Sequence, residues 1–294
     1  MKSLIRKIIP RNTRNSIKSI LRKGKVYSYK ASKTIINKKE MIGLLREAGV
    51  KKGDIIFFHS SLTALGYVEG GPDVIIEALK EAVGDEGTLV APAYPFSGSA
   101  LDFAKNTKAL DLNTAKSNSG KISEIFRTNH ADFRSLHPTH SCVAWGKYAE
   151  YLTQGHENSV TPLGTDSPFR KMLEFPNSKI LILGSPFGRV TYFHIIEDMI
   201  DFPLKVYYPE TFNINILYKN RSYDIRYKIH DPEISSRRVD NNKIIENYWN
   251  GYFEQNKLCS KVKVNKSFIY LIKCDDFTKA LKDNLSIGKT IYSV

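Results

Sequence analysis

The sequence predicts an α/β (α+β) fold. A central, largely buried sheet is flanked by helices, and an antiparallel strand and helix appendage follows at the C-terminal end. Three observations carry this. The runs "DIIFFHS", "GTLVAPAY" and "KILILGSP" are continuously apolar, as strands covered on both faces are. Between them lie segments whose apolar residues recur at helical spacing. The last third switches to apolar–polar alternation in "KVYYPETFNINILYKNRSYDIRYKI", the pattern of an antiparallel hairpin.

The elements follow in order. Residues 1–37 form a basic arm: residues 1–39 hold 13 of the 44 Lys/Arg and none of the 30 acids, so the body keeps 31 basic against 30 acidic side chains. Ile17, Ile20 and Leu21 share a helical face with Lys18, Arg22 and Lys23 around them. Such a segment can lie on an anionic membrane surface or remain a solvated tail. Its few aromatics, Tyr27 and Tyr29, argue against a nucleic-acid partner. From residue 38 to 294 one α/β domain is expected. "KKEMIGLLREAGV" is a helix with Met41, Leu44 and Leu45 on one face. "GPDVIIEALKEAV" is a helix with Val74, Ile75, Ala78, Leu79 and Ala82 inward. Residues 95–120 read as an irregular polar loop, and "GKISEIFRTN" as a short helix. "RVTYFHIIEDMI" becomes a helix that Thr191 caps. "NNKIIENYWNGYFEQ" and "DDFTKALKDNL" are helices around the strand-like "KVKVNKSFIYLIKC".

Three cysteines, Cys142, Cys259 and Cys274, show no metal or redox spacing and fit a reducing cytoplasm. No apolar run approaches the roughly 20 residues of a spanning helix. The expected location is cytoplasmic, with the arm offering a peripheral contact at the inner membrane face.

Three stretches could carry chemistry. In "FFHSSLTALGYVEGGP" a buried strand ends in His59, Ser60 and Ser61, and Gly70 and Gly71 precede a helix opened by Pro72. The turn is an anion or phosphate cradle or an ordinary turn; it has neither Walker nor Rossmann spacing. In "FRSLHPTHS", Arg134, Ser135, His137, His140 and Ser141 form a polar binding loop or a structural turn. Pro138 argues against a His137–His140 metal pair. In "VTYFHIIED", His194 and Glu197 share a helical face: a general base with its carboxylate, or an ordinary histidine.

Taken together, these stretches resemble the aminoglycoside 3-N-acetyltransferase family, which is not of the common GNAT type. The resemblance rests on "HSSL" (His59–Leu62), the Leu65–Gly71 run, "GTLV" (Gly87–Val90), Glu124 with Phe126 and Arg127, Arg134–Ser141 followed by Ala144 and Gly146, Gly164 with Ser167 and Pro168, Leu181–Gly184, and Thr191 with His194 and Glu197. These stand in order across residues 40–200.

The resemblance implies acetyl-CoA as co-substrate, no metal, and a small-molecule amine as acceptor. It implies His194 as the catalytic base or its partner, with Glu197 in support. It places the pantetheine and phosphates at His59, Ser60, Ser61, Gly70, Gly71 and Thr191, and the acceptor near His137, Arg134 and Ser141. The chain departs from the family in residues 91–123, which are short, polar and carry only Asp102 and Asp111 as acids. That departure and the basic arm lead us to expect a nucleotide-linked amino sugar of surface-polysaccharide assembly as acceptor. The alternatives are an aminoglycoside and, in another class, a non-catalytic CoA- or membrane-binding protein. The sequence leaves the oligomeric state open.

Overall fold

The structure, a computed structural model, describes residues 35–240 and 242–293. The arm up to residue 34 lies outside the described residues, and with it the expected membrane contact. Ile35 and Ile36, the arm's last apolar residues, already belong to the folded body. As β1 (Ile35–Ile36) they pair in parallel with β3 (Tyr67–Val68), and Ile36 is buried.

The central sheet has seven strands in the order β11-β12-β8-β2-β4-β7-β6. These are β2 (Ile55–Ser60), β4 (Thr88–Pro92), β6 (Phe133–Arg134), β7 (Cys142–Gly146), β8 (Ser178–Leu183), β11 (Ser260–Val264) and β12 (Ser267–Lys273). β2 runs parallel to both β4 and β8, and the outer pairs are antiparallel. Side chains alternate along a strand, so each continuous apolar run feeds two cores. Ile55, Phe57, Ile180 and Ile182 enter one core, while Ile56, Phe58, Leu181 and Leu183 enter the other.

Helices cover both faces. Helix α1 (Lys38–Glu47) starts in a capping box: the Asn37 side chain accepts from the Glu40 amide at 2.9 Å, and Glu40 accepts from the Asn37 amide at 2.9 Å. Its buried residues are Met41 and Leu45, with Leu44 partly exposed. After the short α2 (Leu62–Leu65), α3 (Pro72–Val83) has Pro72 at its first turn and buries Ile75, Ile76, Ala78, Leu79, Ala82 and Val83.

Residues 95–120 are not one irregular loop. They hold α4 (Ala100–Asn106), capped by Ser99, and β5 (Ala109–Asp111), which pairs in parallel with β9 (Phe212–Tyr218). β9 and β10 (Arg221–Tyr227) form the expected hairpin. Its two-residue turn has Lys219 and Asn220 at φ 47° and 60°, the twist a tight hairpin needs. This three-stranded sheet has its own apolar cluster around Ile214, Ile216 and Ile225.

The last strands are not an appendage. The β11–β12 hairpin extends the central sheet through β12 against β8, because Ile269 and Ile272 are fully buried on its two faces. The remaining helices are, in chain order, α5 (Lys121–Ile125), α6 (Ala149–Thr153), α7 (Pro168–Lys171), α8 (Pro232–Asp240), α9 (Asn242–Gln255) and α10 (Cys274–Ser286). No helix among the described residues is long and apolar enough to cross a membrane.

Candidate active site

The three parallel strands β2, β4 and β8 end together at Ser60, Pro92 and Leu183. Ligands in open α/β sheets bind outside such carboxyl ends. A cavity of about 640 Å³ lies there, lined by His59, Ser60, Ser61 and Thr191 with Tyr94 and Arg189. Thr191 does not cap a helix: Val190 takes that position, and Thr191 Oγ1 is 2.6 Å from the Tyr94 hydroxyl. Gly70 and Gly71 are not among the lining residues. They turn the chain into α3 at φ +79° and +69°, and a Cβ on Gly70 would meet Val74 at 2.3 Å.

The segment after β8 forms tight turns rather than the expected α-helix. Thr191–His194 is a 3₁₀ turn, continued by Glu197 N–H to His194 O at 3.2 Å and Met199 N–H to Ile196 O at 3.1 Å. At three residues per turn, positions i and i+3 eclipse. His194 and Glu197 therefore meet directly, with Nδ1 2.7 Å from Oε1. The same oxygen accepts from the Tyr292 hydroxyl at 2.7 Å, and Oε2 is 2.8 Å from His230 Nε2. The His194 and His230 rings stand 4.3 Å apart. An ionised carboxylate only accepts, so His194 carries its proton on Nδ1 and leaves Nε2 as the basic nitrogen.

That nitrogen faces a cation. Arg238 Nη1 lies 2.6 Å from His194 Nε2, while its Nε and Nη2 donate to the Gly188 carbonyl, the former at 3.0 Å. Burial, with lesser contributions from His230 and Arg238, lowers the His194 pKa to about 4 although Glu197 opposes the shift. His194 is thus neutral at pH 7 and titrates well below a free imidazole. Burial alone would raise the Glu197 pKa, but the two imidazoles outweigh it and hold the carboxyl below its ordinary range. Asp198 shifts the other way, raised by burial while Tyr207 donates to it at 2.8 Å.

The expected acceptor residues are structural. His137 is fully buried, stacked on His156 at 4.8 Å, with Nδ1 taking the amide protons of Thr139 and His140 at 3.3 and 3.1 Å. Buried Arg134 ties down the carbonyls of Leu112, Ala115 and Ala93 at 2.7, 2.9 and 3.0 Å. Its Nε donates to Ser141 Oγ at 2.9 Å, and Ser141 donates to the Ser135 carbonyl at 2.8 Å. A loop without regular backbone pairing satisfies its buried carbonyls through such side chains, which is why this run is polar yet inaccessible. His140 alone reaches toward the site, its ring 4.8 Å from Tyr94 and 5.9 Å from His230.

His230, Arg238 and Tyr292 escaped the sequence reading. Each sits in a stretch without motif spacing and reaches His194 through packing. His194, Glu197 and His230 place ligand atoms within 4.8 Å of one another, a set able to hold a metal ion. His137 and His140 are not part of it. As arranged, these donors and acceptors satisfy one another as a proton network beside a guanidinium. In the cavity, His59 Nε2 and Ser60 Oγ are buried without a hydrogen-bond partner, a pair suited to the amide and thioester oxygens of acetyl-CoA.

Comparison with known proteins shows the family and the fold. A family model described as aminoglycoside 3-N-acetyltransferase matches residues 57–286. Aminoglycoside N(3)-acetyltransferase VII of Streptomyces paromomycinus is 33% identical over 174 residues, 55% of this chain and 60% of that protein. The SPbeta prophage-derived aminoglycoside N(3')-acetyltransferase-like protein YokD of Bacillus subtilis is 34% identical over 169 residues, 52% of this chain and 61% of its own. The chain thus spans about 60% of the length of these curated relatives. Among solved structures, AAC-IIIb in its binary complex with CoASH has a TM-score of 0.69 at 21% identity, covering 87% of this chain and 98% of that one. AAC-VIa bound to sisomicin has a TM-score of 0.67 at 23% identity, covering 87% and 99%. These likenesses establish the fold. The family match runs from the strand that carries His59 to the end of α10, and the chain belongs to the aminoglycoside 3-N-acetyltransferase family.

Proposed function

We propose that this chain transfers the acetyl group of acetyl-CoA to an amine of an amino sugar, with His194 Nε2 as general base. The observation that carries the reading is the buried Glu197 carboxylate, which fixes the His194 tautomer from one side and is itself held by Tyr292 and His230. The amine nitrogen attacks the thioester carbonyl carbon as Nε2 takes its proton. The C–S bond then breaks, and the departing CoA sulfur takes that proton from the imidazolium. A positioned base contributes typically about 10²–10⁴-fold. Ser60 Oγ, buried and without a partner, is suited to donate to the developing oxyanion. Acetyl-CoA enters as co-substrate at His59–Ser61 and Thr191.

The names of the curated relatives favour an aminoglycoside acceptor. They give no support to surface-polysaccharide assembly. One observation favours a second acceptor class, an amino sugar bearing an anionic group such as a linked nucleotide. The cavity that takes acetyl-CoA is lined by Arg189 and no carboxylate, so an acceptor sharing it meets a poor host for a polycation. Thiol release from acetyl-CoA, measured with sisomicin, gentamicin and a panel of nucleotide-linked amino sugars, decides between them. Turnover of aminoglycosides alone selects the first, and turnover of a nucleotide sugar selects the second. No thiol release with any amine removes the proposal.

A further inference from the structure

The guanidinium of Arg238 occupies the atom that the proposed reaction needs. An amine cannot surrender its proton to His194 Nε2 while Nη1 stands 2.6 Å away. The position is also costly for the arginine. All its hydrogen bonds go to neutral acceptors, the Gly188 carbonyl and the imidazole. Among the side chains described, no carboxylate lies within 4.0 Å of it, and Glu197 attracts it only from further away. A part-buried cation that no carboxylate touches is an incomplete ion pair. Its surroundings are arranged for an anion. Arg189, at the cavity wall, is close enough to act on Arg238 electrostatically, and Arg238 acts likewise on His59.

We infer that Arg238 is a specificity-determining residue that reads a phosphate on the acceptor, with Arg189 as the other donor. Pairing with that phosphate draws the guanidinium off His194 Nε2 and opens the base to the amine. The inference rests on the acetyl-transfer reading and deepens its second acceptor class. Guanidinium groups suit phosphate because their planar donors meet two of its oxygens at once. The arrangement couples acceptor choice to catalysis: an amine without the phosphate meets a base that is still capped. A polycationic acceptor adds like-charge repulsion from two arginines.

Two measurements on the full chain separate this inference from the function beneath it. In the first, ¹⁵N-histidine spectra follow His194 while inorganic phosphate is added. Saturable perturbation of the His194 resonances, weakened in Arg238→Met and partly restored in Arg238→Lys, is the expected result. An unchanged His194 signal in the wild-type protein overturns the inference. In the second, thiol release compares glucosamine with glucosamine 6-phosphate and sisomicin. The wild-type protein should prefer the phosphorylated sugar in kcat/KM by roughly tenfold to a hundredfold, the range of one charged hydrogen bond. Arg238→Met should collapse that ratio. Should Arg238→Met fail to fold, Arg238→Gln carries the comparison. A ratio near one in the wild type, or a ratio unchanged by the substitution, overturns the inference. Phosphate perturbing His194 without thiol release from any acceptor would sustain the anion site and sink the acetyl-transfer reading instead.

Discussion

Replacing Glu197 by glutamine tests the centre of the proposed mechanism with the least change of shape. The carboxylate accepts three protons, from His194, His230 and Tyr292, at 2.7–2.8 Å. An amide can accept at one end only, and its NH₂ must face one of the three donors. When His194 takes a proton from the amine it becomes an imidazolium beside this group. At about 4 Å between charge centres and an effective dielectric near 20, the lost attraction is about 4 kcal/mol. At about 1.4 kcal/mol per decade, kcat should fall roughly a thousandfold. Because the charge forms only on the way to the product, KM for acetyl-CoA should change little. The assay is thiol release under saturating acetyl-CoA, with Tm measured in parallel because His230 and Tyr292 lose an acceptor. Glu197 also raises the His194 pKa, so the acid limb of the pH–rate profile should not move upward in the variant. A Glu197→Gln protein that keeps kcat within about threefold, folded and acetyl-CoA-dependent, refutes the dyad.

Three further outcomes are expected. Arg134→Met leaves two buried carbonyls and the part-buried Ala115 carbonyl without their donor, at about 1–3 kcal/mol for each buried one, so Tm should drop sharply while kcat per folded molecule stays near wild type; calorimetry and thiol release check the two halves. The second is acid sensitivity. His59 and His156 are lowered to about 3 and His194 to about 4, mainly by burial, whereas an unfolded histidine titrates near 6.5. Their neutral forms favour the native state above about pH 6.5. Below it the unfolded state binds more protons, and each group removes about 1.4 kcal/mol per pH unit until its folded pKa is reached. Denaturant midpoints should therefore fall steeply between about pH 6.5 and 4, and a flat profile there would contradict neutral burial. Third, removing residues 1–34 should keep the fold and the acetyl transfer while weakening sedimentation with anionic vesicles. Removing 1–36 strips buried Ile36 and β1 from the body and should lower Tm.

The sheet was legible because its strands are covered twice. A run such as Ile55–Phe58 must be apolar at every position to fill two cores, and that requirement is visible locally. Residues 95–120 were opaque for the opposite reason. β5 acquires its partner from β9, more than 100 residues further on, and Ala104 and Leu112 are buried only because that hairpin arrives. The site divides in the same way. His59–Ser61, Thr191 and the dyad stand at strand ends and the turn after β8, so their order along the chain places them together. His230 follows a hairpin, Arg238 lies on α8, and Tyr292 stands after α10. No local pattern links these three to His194.

The dyad also shows why a spacing of three carries more information in some backbones than in others. On an α-helix, residues three apart are offset by about 60°, and a short glutamate reaches an imidazole only obliquely. The stretch "VTYFHII" is rich in β-branched and aromatic residues, which crowd an α-helix at χ1. It follows Gly184 in the left-handed region and Pro186, and it closes 3₁₀-type turns instead. The poor helix formers therefore select the backbone in which His194 and Glu197 eclipse. Their 2.7 Å contact is a consequence of that choice. Substituting Thr191, Ile195 and Ile196 toward strong helix formers would draw this segment toward α geometry and swing the carboxylate off Nδ1. The loss would appear in kcat before it appeared in acetyl-CoA binding.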